Sequence, residues 1–306
     1  MNLFHKKDQY QGYNIYSMKK YVDKKRIIFT TIIVILIIIT LGFIIYYSVD
    51  TTIRLKSAKR FEQKLIEYES KQEELQKQER ERQAKIPKLT DEGKQNIKGI
   101  YKSKTKRVFL TFDDGPSVNT ADVLDILKSN DIKATFFVLG TQVEKMPEMV
   151  KRAYQEGHYI ANHGYSHQYS QIYSSPETVL QEFNQCNSAV AKAIDVPEYN
   201  SHLFRFPGGS VGGKYANLKA EAVTLLEQNN IMHVDWNALT GDAEKSSPDE
   251  EYLMNNLQKT TQNKNSIVIL MHDAQAKRVT VEFLPKLIEF FQQQGYQFEN
   301  FYSIIK

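Results

Sequence analysis

Two adjacent carboxylates, Asp113 and Asp114, close an apolar run, Val108-Phe109-Leu110-Thr111-Phe112, that reads as a buried strand. About fifty residues later come His163-Gly164-Tyr165-Ser166-His167, two histidines four apart that can face the same way on one helical turn. One Asp and two His make a set of three protein ligands that leaves a divalent metal open to water. The spare Asp then lies beside the metal, where a base for that water is needed. This is the outline of metal-assisted hydrolysis.

Each motif alone has an ordinary explanation. Paired Asp after a strand commonly forms a turn, and a solitary HxxxH is commonly a surface coincidence. Three further segments change that balance: Phe204-Arg205-Phe206-Pro207-Gly208-Gly209, Trp236-Asn237-Ala238-Leu239-Thr240-Gly241-Asp242, and Ile269-Leu270-Met271-His272-Asp273.

In this order and at these spacings, the five segments resemble the polysaccharide deacetylase family, also called carbohydrate esterase family four or the NodB homology domain. The resemblance covers residues 105–306. It implies an α/β fold, a distorted (β/α) barrel, and removal of acetyl groups from sugars with a divalent metal, usually zinc. Carried onto this chain, it makes Asp114, His163 and His167 the metal ligands and Asp113 the general base. It makes Arg205 the residue that orients Asp113, His272 the general acid, and Asp242 the carboxylate that tunes His272. Leu270 and Trp236 are assigned to the substrate side of the groove.

Amide hydrolysis needs an activated water, a stabilised oxyanion and a proton for the leaving amine, and these residue types supply them. Asp113, near the metal and Arg205, should stay ionised, because nearby positive charge favours the carboxylate. The backbone N–H of Gly208 is the expected oxyanion donor beside the metal. His272 can protonate the departing nitrogen, with a neighbouring carboxylate favouring its imidazolium form. Three positions depart from the family pattern. Gly164 stands where Ser or Thr is typical, Gly208 where an aromatic residue is common, and Ala243 where Trp often follows the Asp. None is a ligand, base or acid; the losses fall on groove walls, which Trp236 or Tyr165 could replace.

The elements that must position these groups alternate, as a parallel barrel should. Strand-like runs cover 107–112, 134–139, 158–162, 203–206, 231–236, 266–271 and 296–300. Helix-like runs cover 120–129, 146–156, 176–194, 215–229, 248–262 and 279–294. Asp113, Asp114, Arg205 and His272 then share the C-terminal rim of the strands, where catalytic groups of a parallel barrel converge. His158 and His202 occupy no motif position and read as packing or capping residues, and Asp273 as a loop-turning residue. Trp236 suits the groove and the core equally.

Ahead of this segment, residues 27–49 carry no charge, enough to span a bilayer as one helix. Lys19, Lys20, Lys24, Lys25 and Arg26 precede them, so residues 1–26 read as a cytoplasmic basic tail and everything after residue 49 as extracellular. No small-x-small cleavage pattern follows, which favours an uncleaved signal anchor over a cleaved signal peptide. Residues 50–104 read as a charged helical spacer and linker. Phe61, Leu65, Tyr68 and Leu75 have coiled-coil spacing that Gln72 interrupts. The net charge of +4 is concentrated in tail and spacer. The catalytic segment is acidic, which excludes a nucleic-acid partner. The single Cys186 rules out an internal disulfide and reads as a buried small hydrophobe.

These observations lead to a membrane-anchored N-deacetylase of N-acetylglucosamine units in cell-wall peptidoglycan. The alternatives are a deacetylase of another acetylated glycan (poly-N-acetylglucosamine, N-acetylmuramic acid or chitin oligomers), a catalytically silent glycan-binding protein, and a structural anchor. The last two leave the intact base, acid and ligand set unexplained.

Overall fold

The architecture is taken from a computed structural model, which describes residues 15–305, with side chains from residue 24. Positions 1–14 of the expected basic tail lie outside the described residues. The chain divides into two units, residues 1–78 and 79–306.

The described residues of the first unit are helical, part of α1 (Ile15–Ala84). It is long and apolar enough to cross a membrane, and its apolar side chains from Ile27 to Val49 are exposed. The spacer continues the same helix, with Phe61, Leu65, Tyr68 and Leu75 all exposed.

In the second unit, α2 (Asp91–Lys98) and β1 (Arg107–Asp113) lead into α3 (Thr120–Ser129), β2 (Thr135–Val138), α4 (Gly140–Lys145), α5 (Pro147–Gln155) and β3 (Tyr159–Asn162). Then come α6 (Tyr169–Ile172), α7 (Pro176–Ile194), β4 (Leu203–Phe204), α8 (Ala216–Gln228), β5 (Met232–His233) and β6 (Ala238–Leu239). The chain closes with α9 (Glu250–Thr261), β7 (Ser266–His272), α10 (Arg278–Gln293), β8 (Gln297–Glu299) and a turn of 3₁₀ helix, Phe301–Ser303.

All strands pair in parallel in the order β5-β4-β3-β2-β1-β7-β6, with β8 added alongside β1. β5 and β6 do not pair, so the curled sheet is a barrel with an open seam. The strands expected over 203–206 and 231–236 shrink to two residues each, and β6 was not anticipated. Their sequences turn early, at Phe206-Pro207-Gly208 and Asp235-Trp236-Asn237, where the backbone leaves the ladder to build the rim.

β1 explains how the core is organised. Its side chains alternate with period two. Val108, Leu110 and Phe112 join the cluster under the outer helices, with Leu124, Leu284 and Phe291. Phe109 faces inward, with Phe137, Tyr159 and Val268. Thr111 and Asp113 continue that inner face up to the rim.

The C-terminal part of the stretch read as spacer and linker instead contributes Ile97 and Ile100 to this core. α2 is capped by the Thr90 side chain, which accepts from the Gly93 N–H, and it carries Asp91 and Glu92 in its first turn. Ile97 and Ile100 then pack with Phe301, Ile304 and Ile305 against the inner cluster. Ile100 is fully buried. Ile100→Ala should therefore cost about 2–5 kcal/mol, as deletion of a buried aliphatic side chain does. The check is the denaturant midpoint of the full chain in detergent; an unchanged midpoint would restore the linker reading.

Candidate metal centre and catalytic groove

The register of β1 against β7 sets Asp113 directly beside His272. The Asp273 N–H donates to the Asp113 carbonyl at 2.8 Å and ties the two strand ends together. Asp114 follows at φ 73°, a left-handed conformation that Asp tolerates better than most residues.

Arg205, just beyond β4, has no exposed surface. Its Nη1 donates to Asp113 Oδ1 at 2.8 Å and Thr111 Oγ1 at 2.7 Å, Nε to Val234 O at 3.2 Å, and Nη2 to Asp235 O at 3.1 Å. Burial is the largest influence on Asp113 and raises its pKa; the charges of Arg205 and His272 oppose it without cancelling it. The expectation from the sequence rests on the metal and Arg205 together; Arg205 favours the carboxylate but does not by itself outweigh burial.

The backbone carbonyl of Arg205 lies 2.8 Å from His163 Nδ1. A carbonyl only accepts, so Nδ1 carries the ring proton and Nε2 keeps its lone pair. Burial pushes the His163 pKa down to about 3, so the ring is neutral. His163 Nε2 and His167 Nε2 lie 3.6 and 3.5 Å from Asp114 Oδ1. The three ligating atoms fall within 4.8 Å of one another, and Asp114 Oδ1 is buried without a hydrogen-bond partner. Such a convergence suits a cation. A tetrahedral ion with bonds of about 2.0–2.1 Å spaces its ligands about 3.4 Å apart, close to the two measured separations.

The two histidines do not share a helical turn. Residues 163–168 form a loop, with Gly164 at φ 91° and His167 at φ 58°. Glu182 of α7 holds that loop. Its Oε2 accepts the N–H groups of Tyr165 at 2.6 Å and Ser166 at 2.7 Å, and its Oε1 accepts the Ser166 hydroxyl at 2.7 Å. Glycine suits position 164 because the backbone is left-handed and a Cβ would press on Ile172, 3.1 Å away.

At the end of β7, Asp242 Oδ1 lies 3.0 Å from His272 Nδ1. Its Oδ2 accepts from the His272 N–H at 2.8 Å and from Thr280 Oγ1 at 2.7 Å. Burial lowers the His272 pKa, but the Asp242 hydrogen bond and charge outweigh it, leaving it above the ordinary value. Burial likewise pushes Asp242 up, and its bonds to His272 and Thr280 bring it net below the usual carboxylate range.

Nine of the ten residues singled out in the sequence line one pocket of about 300 Å³, and Arg205 lies behind it. Trp236, equally suited to core or groove, lines the groove, as do Leu270 and Gly208. A larger groove of about 890 Å³ near Lys106 and Asn265 contains no carboxylate or histidine and does not carry this chemistry. Tyr165 does not rebuild the missing aromatic wall, since its hydroxyl turns to Glu144. Tyr169 does: its hydroxyl lies 2.8 Å from where a Cβ at Gly208 would be, and it lines the pocket beside His167. His158 accepts from the Ala134 N–H, His202 bonds Asn230, and Cys186 is buried. Asp273 is more than a turn former. It is buried, which pushes its pKa to about 7, and it accepts from Thr120 Oγ1 at 2.6 Å. Glu182 was missed, yet it left a signal: an acid on the stripe Val179, Phe183, Cys186, Val190, the buried face of α7.

The polysaccharide deacetylase family model matches residues 101–225. Over 209 residues the chain is 32% identical to a peptidoglycan-N-acetylglucosamine deacetylase of Bacillus cereus, covering 66% of this chain and 72% of that protein. It is 36% identical over 198 residues to YheN of Bacillus subtilis, covering 63% of this chain and 66% of that protein, slightly under two thirds of its length. Among solved structures, a Streptococcus mutans CE4 esterase superposes with a TM-score of 0.62 at 29% identity, over 68% of this chain and 90% of that one.

Because Glu182 orients the loop between the two histidines, Glu182→Ala should weaken zinc binding by about 10–100-fold, the usual cost of losing such support. Glu182→Gln keeps an acceptor for the loop and should lose far less. Competition of the full-length protein with a chromophoric chelator reads both; equal affinities for wild type and Glu182→Ala would remove this role.

Proposed function

The chain belongs to the polysaccharide deacetylase family, and from that premise we propose that it removes N-acetyl groups from N-acetylglucosamine residues of cell-wall peptidoglycan. The observation that carries the reading is the placement of Asp113 and His272 side by side at the ends of β1 and β7, lining one pocket together with Asp114, His163 and His167. Support for the polymer comes from the named activity of the B. cereus relative and from the apolar helix behind a basic flank. That flank favours a cytoplasmic N-terminus and an extracellular catalytic unit.

Asp114, His163 and His167 are the residues that would hold a divalent metal, zinc by their ligand types. When bound, such an ion supplies carbonyl polarisation and an acidified water. Asp113 takes a proton as the water oxygen bonds to the acetyl carbon, and the Arg205 bond keeps its carboxylate aimed. The Gly208 N–H meets the developing oxyanion. His272 donates a proton to the nitrogen as the carbon–nitrogen bond breaks, giving acetate and a free sugar amine. Asp242 holds the His272 ring in orientation and in its protonated form.

The deciding experiment incubates the full-length protein in detergent with purified peptidoglycan and measures acetate and new glucosamine amines. Both should appear in equal amounts, vanish on chelation and return with zinc. Release from chitin oligomers but not from peptidoglycan would transfer the reading to the alternative glycan.

The pH profile tests the acid. The raised His272 pKa means its proton is present below that value and lost as pH rises through it. The alkaline limb of kcat should therefore lie above the ordinary histidine value of about 6.5. In Asp242→Asn burial acts unopposed by that carboxylate, and the limb should move to lower pH. A limb that stays put would exclude His272 as the titrating acid.

A further inference from the structure

We infer that Tyr173 is a positioning residue for the oxyanion donor: by donating to the Pro207 carbonyl, its buried hydroxyl orients and polarises the peptide that carries the Gly208 N–H. The inference rests on the deacetylase reading above and adds a residue outside the groove to it.

Tyr173 is 3% exposed, and its hydroxyl donates to Pro207 O at 2.6 Å. A buried phenol needs such an acceptor. The carbonyl it has chosen belongs to the same rigid amide plane as the Gly208 N–H. A hydrogen bond to the oxygen of an amide draws electron density from its nitrogen, so the N–H at the other end becomes a stronger donor. That N–H is available: among the described residues Gly208 donates to no protein acceptor, and Gly208 is exposed in the pocket wall.

The rest of the turn is held by other groups. The Gly209 N–H donates to Phe206 O at 2.8 Å, and Lys219 Nζ donates to Gly209 O at 2.6 Å. The Ser210 N–H and hydroxyl donate to the Asp235 carboxylate. Because these ties remain without Tyr173, its hydroxyl is not needed merely to keep the turn in place. Its distinctive contact is with the single carbonyl conjugated to the oxyanion donor. The ring packs separately, 5.7 Å from Tyr169 and 5.0 Å from Tyr215 between centroids, and phenylalanine would preserve that packing.

Tyr173→Phe therefore isolates the hydroxyl. Removing an oxyanion donor outright costs about 10²–10³ in kcat, so weakening one should cost about tenfold. With zinc-loaded full-length protein and an acetylated peptidoglycan fragment, kcat should fall by about that factor while KM, zinc content and melting temperature stay as in wild type. A phosphonamidate mimic of the tetrahedral anion should lose affinity by the same factor as kcat. Tyr215→Phe, which alters the neighbouring ring but no bond to Pro207, should leave kcat unchanged. An unchanged kcat in Tyr173→Phe, or a loss carried wholly by KM or by stability, overturns the inference while leaving the deacetylase reading intact. A wild-type protein that releases no acetate overturns both.

Discussion

A guanidinium with no exposed surface must be fully satisfied, because an unpaired buried charge costs several kcal/mol. Arg205 meets that condition with Asp113, Thr111 and the carbonyls of Val234 and Asp235, and its face lies 3.9 Å from the Phe137 ring centroid. Thr111 and Asp113 lie on β1, Phe137 on β2, and Val234 and Asp235 just after β5, so one side chain joins three parts of the sheet. Its own carbonyl then sets the tautomer of His163. The orientation of the Asp113 carboxyl and the free lone pair of His163 thus depend on the same residue, and neither can be adjusted alone.

The rest of the site follows from parallel register. β1 and β7 end level, which is why Asp113 and His272 sit side by side on the rim. Asn162 is level with Phe204, which brings His163 beside Arg205. Five segments scattered over about 160 residues of sequence therefore meet on one rim without any long loop reaching across. The open seam between β5 and β6 lies where the chain leaves the ladder to supply Trp236.

The chemistry of the site was legible because its residue types are dictated by the reaction. Asp113, Asp114, His163, His167, Asp242 and His272 all line the pocket; the first four stand out by type and spacing, Asp242 and His272 through the family resemblance. What supports them was harder to read. The convergence of His163 and His167 depends on two left-handed backbone positions and on a carboxylate from a helix fifteen residues downstream of His167, none of which HxxxH implies. Tyr173 had no signal at all, since a tyrosine in a short polar stretch says nothing about which carbonyl it will meet. The long strands β1 and β7 showed their apolar runs plainly, whereas β4, β5 and β6 are too short for periodicity to bound. α2 was overlooked because Ile97 and Ile100 are isolated among polar residues, and only the C-terminal Phe301, Ile304 and Ile305 reveal what they cover.

The strands differ in how firmly they are anchored, and this has a consequence for partial opening of the molecule. β1 is paired with β2, β7 and β8, while β4 and β5 hold on through one and two residue pairs. Opening at the lowest cost should begin at the seam, since local stability follows the density of buried, paired backbone. Hydrogen exchange would show it as fast amides at Leu203, Phe204 and Met232 beside slow ones at Phe109 and Leu110. Such an excursion would detach the wall bearing Gly208 while the carboxylate pair stayed rooted. Breathing of the seam would then move Gly208 and Arg205 while Asp113 and His272 keep their paired strands, and amides protected equally in β1 and β4 would exclude that hierarchy.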